Sequence, residues 1–400
     1  MTVRILVIDD SVVIRKILTA TLNEVPGLEV VATAALGKIG LAKIPQCNPD
    51  IVILDVEMPE MDGIETLRRI RKDTPHLPVV MFSTKTERGA AATIEALTCG
   101  ASDYVAKPSN AGNVLAAMAR VREELVPKIV ALTSGRGRPP ARITRSPAPL
   151  PLHPTTPSAS VTLPLSRLTS QAITRPIASL PTTPITDGPI RLYSAPGPRP
   201  PVSIVAIGAS TGGPNALSVL LAQLPADFQV PIVIVQHMLA TFTRHFADRL
   251  ASQCRIKIVE ASPGEAVAPG TAYIARGDHH LLIERRQGRA VLALNQDQVE
   301  NFCRPAVDVL FRSVAASYGP NALGVVLTGM GHDGLLGCGA IRDAGGDVIV
   351  QDEASSVVWG MPGFVARAGI ASQVMPLDQL GGEVRRRVAL GAIRAVGAVP

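Results

Sequence analysis

Three carboxylates and one amine follow short apolar runs near the start of the chain. They are Asp9 and Asp10 after the run 4–8, Asp55 after the run 50–54, and Lys107 after the run 103–106. Functional groups on open parallel sheets collect at the carboxyl ends of strands, so we expect these side chains to meet. Crowded carboxylates call for a hard cation, and Mg²⁺ suits an oxygen-only site. The pattern predicts a phosphorylatable aspartate, with the lysine offsetting about two added negative charges.

Asp55 is the predicted phosphoacceptor, because it stands alone after its strand and precedes an exposed turn at 58–63. The surrounding motifs resemble those of two-component receiver domains. They are VIDDS at 7–11, DxxMPxMDG at 55–63, Ser83 after the run 79–82, and AKP at 106–108. An alternative is a flavodoxin-like domain whose acidic pair is simply solvated.

The receiver resemblance covers roughly residues 1–125 and implies a flavodoxin-like (βα)5 domain. It also implies roles for individual residues. The Mg²⁺ ligands would be Asp9, Asp10, Asp55 and the backbone carbonyl of Glu57; Ser83 and Lys107 would sense the phosphate, with Tyr104 as an aromatic switch.

The bulk composition indicates a multidomain chain of 400 residues, 46% of them hydrophobic, which is enough for sizeable cores. No apolar run approaches the roughly 18 residues that a membrane span needs, and two aspartates interrupt the N-terminus early. We therefore expect a cytoplasmic protein without membrane insertion. Five widely spaced cysteines without a CxxC pair predict reduced thiols rather than disulfides or structural zinc.

The net charge of +6 is concentrated in one segment. Residues 131–201 hold eight arginines, no lysine and the single acid Asp187, together with 16 of the 34 prolines. Such composition predicts a disordered, partly polyproline linker, assigned to 126–201. Because the charge does not lie on a folded domain, we expect no nucleic-acid partner. The arginines form a solvated spacer or a weak docking site for an acidic partner.

The region 202–392 is predicted to be a second, doubly wound α/β domain. Its apolar runs lie at 202–207, 231–235, 256–259, 323–327 and 347–350. Three shorter runs at 272–275, 281–284 and 290–294, separated by turn residues, predict a small antiparallel β insert.

The sequence GASTGG at 208–213 lies between a predicted strand and a helix beginning near Pro214. As a nucleophile elbow it would expose Ser210, with the N–H of Thr211 binding an oxyanion. As a glycine-rich turn it would hold a phosphate or dinucleotide instead. The dinucleotide motif expects an acidic residue after the next strand, where this chain has Gln236 and His237.

His237 and Asp333 also follow predicted strands, so a serine, a histidine and an aspartate converge on one sheet edge. Serine needs a base, and the base needs an orienting carboxylate. The glycines around Met330 allow its backbone N–H to act as a second oxyanion donor. Four other histidines remain alternative bases: His245, His279, His280 and His332.

These residues carry a second resemblance, to the chemotaxis receptor methylesterase domain, over roughly 202–390. Its motifs are IGASTGGP at 207–214, QHM at 236–238, RPxxDxLF at 304–311, LTGMGxDG at 327–334, QDE at 351–353 and GMP at 360–362. The whole chain is thus similar to the response-regulator methylesterases of the CheB family. The likeness implies Ser210 as nucleophile, His237 as base, Asp333 as its orienter, and the Thr211 and Met330 amides as oxyanion hole. Leu239 and Arg276 stand where the family usually has proline, and the linker is unusually long.

The resemblance implies hydrolysis of glutamate methyl esters on methyl-accepting chemoreceptors, deamidation of receptor glutamines, and activation through Asp55 by a histidine kinase. The esterase itself would need no cofactor. We expect the unphosphorylated receiver to cover the triad edge. The competing hypotheses are a response regulator with a non-catalytic or nucleotide-binding output domain, and a DNA-binding regulator.

Overall fold

The computed structural model describes residues 2–84, 86–108, 114–134, 143–145, 190–195, 197 and 199–396. The chain folds as two α/β domains, each built on a parallel sheet. No helix in these described ranges is both long and apolar enough to cross a membrane. Most prolines and most arginines of the predicted linker lie outside them.

The N-terminal domain has a five-stranded sheet in the order β2-β1-β3-β4-β5, in which every pairing is parallel. The strands are β1 (Val3–Ile8), β2 (Leu28–Ala34), β3 (Ile51–Asp55), β4 (Val79–Ser83) and β5 (Asp103–Ala106). The helices are α1 (Val12–Asn23), α2 (Gly37–Cys47), α3 (Gly63–Asp73), α4 (Glu87–Thr98) and α5 (Val114–Thr133). The predicted flavodoxin-like fold is confirmed.

Local signals account for these elements. β3 and β4 are buried along their whole length, as expected for strands covered on both faces by helices. Helix α3 begins where the Asp62 side chain accepts a hydrogen bond from the backbone N–H of Glu65, at 2.7 Å. Its apolar stripe, including Leu67 and Ile70, is buried against the sheet.

Helix α5 extends to Thr133, eight residues past the boundary predicted at 125. The extension contains Pro127, a residue that normally interrupts a helix. The apolar stripe continues instead, and its side chains remain buried against the first domain. They are Val121, Leu125, Ile129 and Leu132. Tertiary packing thus outweighs the local cost of the proline.

The second domain has a seven-stranded sheet in the order β10-β11-β9-β8-β14-β15-β16, again with only parallel pairs. The strands are β8 (Ile204–Ala209), β9 (Ile232–Gln236), β10 (Lys257–Glu260), β11 (Thr271–Ile274), β14 (Ala322–Val326), β15 (Asp347–Gln351) and β16 (Gln373–Met375). The helices are α6 (Gly213–Ala222), α7 (Ala240–Gln253), α8 (Val307–Tyr318), α9 (Leu335–Asp343), α10 (Met361–Arg367) and α11 (Leu377–Val396).

The antiparallel insert is smaller than the three runs predicted. Only β12 (His280–Arg286) and β13 (Arg289–Asn295) pair antiparallel. The first run became β11, which lies between β10 and β9 in the main sheet. Its residues are buried throughout, so this run gains more from the centre of a sheet than from a hairpin. Two short strands, β6 (Ile143–Arg145) and β7 (Ile190–Leu192), pair with each other between the domains in sequence.

The two domains share an apolar contact. Helix α4 of the first domain packs against α6 and α7 of the second. The ring of Tyr104 stacks on that of Phe242, with centroids 4.7 Å apart. One cluster of buried apolar residues therefore runs from the first domain into the second.

Candidate active site and phosphorylation site

The predicted acidic cluster forms at the carboxyl edge of the first sheet. Lys107 Nζ lies 2.9 Å from Asp9 Oδ2 and 2.7 Å from Asp55 Oδ2. Ligand atoms of Asp9, Asp10 and Asp55 all lie within 4.8 Å of one another. One ammonium group therefore faces two buried carboxylates, with a third carboxylate exposed beside them.

The electrostatics of this cluster fit a divalent cation. Burial, reinforced by the charge of Asp9, raises the pKa of Asp55 to about 6, although Lys107 opposes the shift. Burial also raises the pKa of Asp9. Asp9 Oδ2 and Asp55 Oδ2 are buried, and within the described residues they face the lysine without accepting another hydrogen bond. The oxygen-rich cluster is of the type that holds a hard cation.

Two further predicted receiver residues, Glu57 and Ser83, lie around this edge. The backbone N–H of Glu57 donates to Asp55 Oδ1 at 3.2 Å. Ser83 ends β4, and its hydroxyl donates to the carbonyl of Gly89 in α4, at 3.1 Å. Tyr104 is not at the acidic cluster: its side chain is buried against the second domain.

Ser210 lies in a tight corner between β8 and α6, at the carboxyl edge of the second sheet. Its backbone N–H donates to the carbonyl of Thr328, at 3.1 Å. Gly212 takes a φ of 78°, which favours glycine. A Cβ on Gly329 would lie 2.9 Å from the Ser210 Cβ, so the chain after β14 approaches the corner closely only because it has no side chain there. Two strand ends thus fix the position of the serine.

The backbone N–H groups of Thr211 and Met330 are available at this corner. Among the described residues neither donates a hydrogen bond. Both residues line the same cavity as Ser210, His237 and Asp333, with a volume of about 570 Å³. Unpaired N–H groups facing a cavity can stabilise an oxyanion.

His237 and Asp333 are in direct contact. His237 directly follows β9, and its Nε2 lies 2.8 Å from Asp333 Oδ2. Asp333 is itself held at the N-terminus of α8, where its oxygens accept the N–H groups of Val307 at 2.7 Å and Asp308 at 3.0 Å. A helix N-terminus stabilises a carboxylate, so Asp333 is a fixed negative charge behind the imidazole.

The pKa shifts of His237 and Asp333 are those expected of a hydrogen-bonded pair. Burial alone would raise the pKa of Asp333, but the hydrogen bonds from His237 and from the α8 backbone hold it below its ordinary value. Burial alone would lower the pKa of His237, but hydrogen bonds with Asp333 and Cys303 raise it. The arrangement therefore favours the charged pair that forms when the imidazole takes up a proton.

Three residues near this pair were missed by the sequence reasoning. Asn301 Nδ2 donates to both Asp308 Oδ2 and Asp333 Oδ1, at 2.9 Å each. Asp308 is fully buried, and burial followed by the charge of Asp333 raises its pKa to about 6. Cys303 Sγ lies 3.5 Å from His237 Nδ1. Asp308 stood in a quoted motif, but no local signal pointed to Asn301 or Cys303, which meet the triad only in the folded chain.

The alternative histidines have other partners or positions. His280 bonds to the carbonyl of Gln298 and accepts the N–H of Ala306, so its ring is engaged in local structure. His279 bonds to the carbonyl of Gly277. His332 lines the cavity and packs edge-on against Phe364, and His245 lies along α7. Only His237 contacts Asp333 among the histidines in the described ranges.

The first domain forms one wall of the same cavity. Thr211 Oγ1 donates to Asp103 Oδ2 at 2.5 Å, and Lys128 Nζ lies 2.9 Å from Asp103 Oδ1. The backbone N–H of Leu239 donates to the hydroxyl of Tyr104, at 3.2 Å. These contacts bring the first domain against Thr211, one of the two candidate oxyanion donors.

Comparisons with known proteins agree with this geometry. Residues 5–119 match the response regulator receiver domain model and residues 205–384 match the CheB methylesterase model. A protein-glutamate methylesterase/protein-glutamine glutaminase of Trichodesmium erythraeum is 48% identical over 96% of this chain and 99% of its own length. One of the same description from a Nocardioides species is 47% identical over 97% of this chain and 96% of its own.

Among solved structures, the CheB methylesterase catalytic domain of Thermotoga maritima is 40% identical, with a TM-score of 0.46, and covers 46% of this chain and 98% of that one. The identity to full-length relatives extends over both domains and the region between them. The prediction of the family from the two motif sets is thus confirmed: the chain belongs to the CheB methylesterase family, as an esterase with a response regulator receiver domain ahead of its catalytic domain.

Proposed function

We propose that this chain removes methyl esters from glutamates of chemoreceptors, and deamidates receptor glutamines, under control of phosphorylation at Asp55. The family supports the reaction class. The observation that carries the mechanism is the His237–Asp333 contact in the cavity that Ser210 and two unpaired backbone N–H groups also line. Pairing of a base with a buried carboxylate is what activation of a serine requires.

In the proposed reaction, Asp333 accepts the Nε2–H of His237, so Nδ1 carries the lone pair that takes the Ser210 proton. The serine oxygen attacks the ester carbonyl. His237 then returns the proton to the departing methoxide, which leaves as methanol. Water hydrolyses the acyl-enzyme through the same base, giving the free glutamate. Attack on a glutamine side chain follows the same steps with ammonia as leaving group.

The N–H groups of Thr211 and Met330 would bind the oxyanion of both tetrahedral intermediates. Removal of one such donor typically slows the chemical step by about 100- to 1,000-fold. The close approach of Gly329 to Ser210 fits this role, since it brings backbone rather than a side chain next to the nucleophile.

The receiver would inhibit the esterase by docking beside this hole. Strand β5 carries Asp103 and Tyr104 at the interface, and Lys107, next after its end, bonds Asp55. Phosphate on Asp55 gives Lys107 a stronger partner and would draw the Ser83 hydroxyl away from α4, the helix that packs on the esterase domain. Both changes would weaken the docked state.

The partners and cofactor follow from this scheme. A chemotaxis histidine kinase would supply the phosphoryl group. Asp9, Asp10, Asp55 and the Glu57 carbonyl would hold Mg²⁺, which would supply the positive charge that the transfer needs. The reaction takes place in the cytoplasm, on the signalling region of methyl-accepting receptors. Nucleic acid has no part in it.

Labelling with a serine-directed phosphonate tests the nucleophile. We expect modification of Ser210 in the full chain and none in Ser210→Ala or His237→Ala. Cys303 is the competing nucleophile, because its Sγ lies beside Nδ1. The serine is favoured because Thr211 follows Ser210 in sequence and Met330 lines the same cavity. Retention of ester hydrolysis by Ser210→Ala, together with its loss in Cys303→Ala, would reverse the assignment.

A further inference from the structure

Phe302 is an unusual surface residue. It is 100% exposed, the highest value among the large hydrophobic side chains in the described part of the chain. Its φ of 61° lies in the left-handed region, which bulky residues rarely adopt. Both features are unfavourable for a phenylalanine, and the exposed ring gains no packing from the fold to offset them.

The local turn explains the backbone but not the side chain. Asn301 and Phe302 both have positive φ, and Glu300 and Cys303 exchange backbone hydrogen bonds of 3.1 and 2.9 Å. This is a two-residue turn in which asparagine suits the first position and glycine the second. Asn301 is required because its amide bridges Asp308 and Asp333. Glycine would fit this turn better than phenylalanine, so the turn does not explain the aromatic side chain of Phe302.

The position of the ring supplies an explanation. Phe302 lies at the rim of the cavity that contains Ser210 and His237, which the exposed Leu239 also lines. Strained residues that persist at a site rim are characteristic of binding surfaces. We propose that Phe302 is an apolar anchor that contacts the surface of the protein substrate next to the susceptible glutamate and so determines affinity for it. This inference rests on the proposed esterase function.

The full exposure of Phe302 indicates what kind of molecule it contacts. A small ester that enters the cavity has no need of an aromatic group outside it, whereas a folded substrate surface does. The partner is therefore a protein that presents an apolar side chain near the modified glutamate. Because Phe302 is fully exposed while the receiver is docked, the anchor is available in both receiver states.

The test compares two substrates. Full-length wild type, Phe302→Ala, Phe302→Leu and Phe302→Gly are assayed on methylated receptor in membranes and on p-nitrophenyl acetate, whose hydrolysis needs only the triad. The control is Leu390→Ala, a half-exposed apolar residue on α11 that lies near Asp347, at the opposite end of the sheet.

For receptor, Phe302→Ala and Phe302→Gly should raise KM by about tenfold or more with little change in kcat, as loss of an aromatic interface anchor does. Phe302→Leu should restore much of the affinity. In every Phe302 variant, hydrolysis of p-nitrophenyl acetate should change much less than the receptor KM, and Phe302→Gly should raise Tm by about 2 °C or more because the turn strain is relieved.

Three results would overturn the inference: an unchanged receptor KM in Phe302→Ala and Phe302→Gly, an equal rise of KM in Leu390→Ala, or parallel losses on both substrates. No hydrolysis of either substrate by wild type would instead contradict the proposed function, so the two failures are distinguishable.

Discussion

Replacing Leu239 with proline removes one hydrogen bond from the domain interface and little else. Leu239 has a φ of −69° and precedes the first residue of α7, a conformation that proline adopts without strain. Its N–H donates to the buried hydroxyl of Tyr104, at 3.2 Å. Proline has no N–H, so this interdomain hydrogen bond depends on a residue other than proline at position 239.

The expected size of the activation follows from the burial of the Tyr104 hydroxyl. Loss of the donor leaves Tyr104 Oη unpaired in the interface, which costs about 1–3 kcal/mol. The equilibrium between docked and undocked receiver would shift by about 5- to 150-fold. The unphosphorylated esterase rate should rise by that factor, limited by the rate of the phosphorylated enzyme, which should itself change little.

The assay is hydrolysis of p-nitrophenyl acetate by the full chain, with and without acetyl phosphate and Mg²⁺. Leu239→Ala is the matched control, because it removes the side chain but keeps the N–H. Tyr104→Phe should also raise the unphosphorylated rate, because it leaves the N–H of Leu239 unpaired, and the double variant should lie closer to wild type than either single one, since neither partner is then left unpaired. An unphosphorylated rate equal to wild type in Leu239→Pro, or equal activation of both phosphorylation states, would refute the reasoning.

Three other perturbations have defined outcomes. Asp55→Asn should abolish phosphorylation by acetyl phosphate and the accompanying rise in esterase rate, measured by phosphate incorporation and initial rate; a retained rise would place the acceptor elsewhere. Cys303→Ala should lower the pKa of His237, because the thiol raises it, and so shift the acid limb of the kcat/KM profile to lower pH; a shift to higher pH would contradict this sign. Gly329→Ala should reduce the esterase rate by at least about tenfold, because its Cβ would lie 2.3 Å from Met361 Sδ and 2.9 Å from the Ser210 Cβ; a wild-type rate would show that the corner tolerates the shift.

The sequence was sufficient to predict the proximity of candidate residues that follow strands. A buried strand is recognisable from its apolar run, and parallel strands bring their carboxyl ends to one edge. This is why Asp55 and Lys107, or His237 and Asp333, could be expected to lie close together from positions alone, and the structure places each pair within hydrogen-bonding distance.

Features that depend on tertiary packing could not be predicted from the positions of residues in the sequence. Helix α5 passes Pro127 because its apolar stripe continues to Leu132, and β11 joined the main sheet although its sequence also suited a hairpin. Asn301 reaches two carboxylates only after the loop before α8 has folded back over the site. Contacts between such distant segments leave no periodic signal in the chain.

The sequence analysis led us to expect that the receiver covers the triad edge. It did not identify the residues that form this interface. The sequence predicts Asp103 as part of an apolar run and Tyr104 as an aromatic switch, but neither as an interface residue. The structure directs Asp103 to Thr211 and Tyr104 to Leu239 and Phe242. These contacts join residues more than 100 positions apart, so the local sequence does not reveal them.

Methanol release from methylated receptor membranes tests the central claim most directly, namely that Ser210 hydrolyses receptor esters and that phosphate on Asp55 relieves the receiver's inhibition. The account predicts slow release by the unmodified full chain, faster release after acetyl phosphate and Mg²⁺ are added, and none by Ser210→Ala. Equal rates with and without the phosphodonor, or undiminished release by Ser210→Ala, would contradict it.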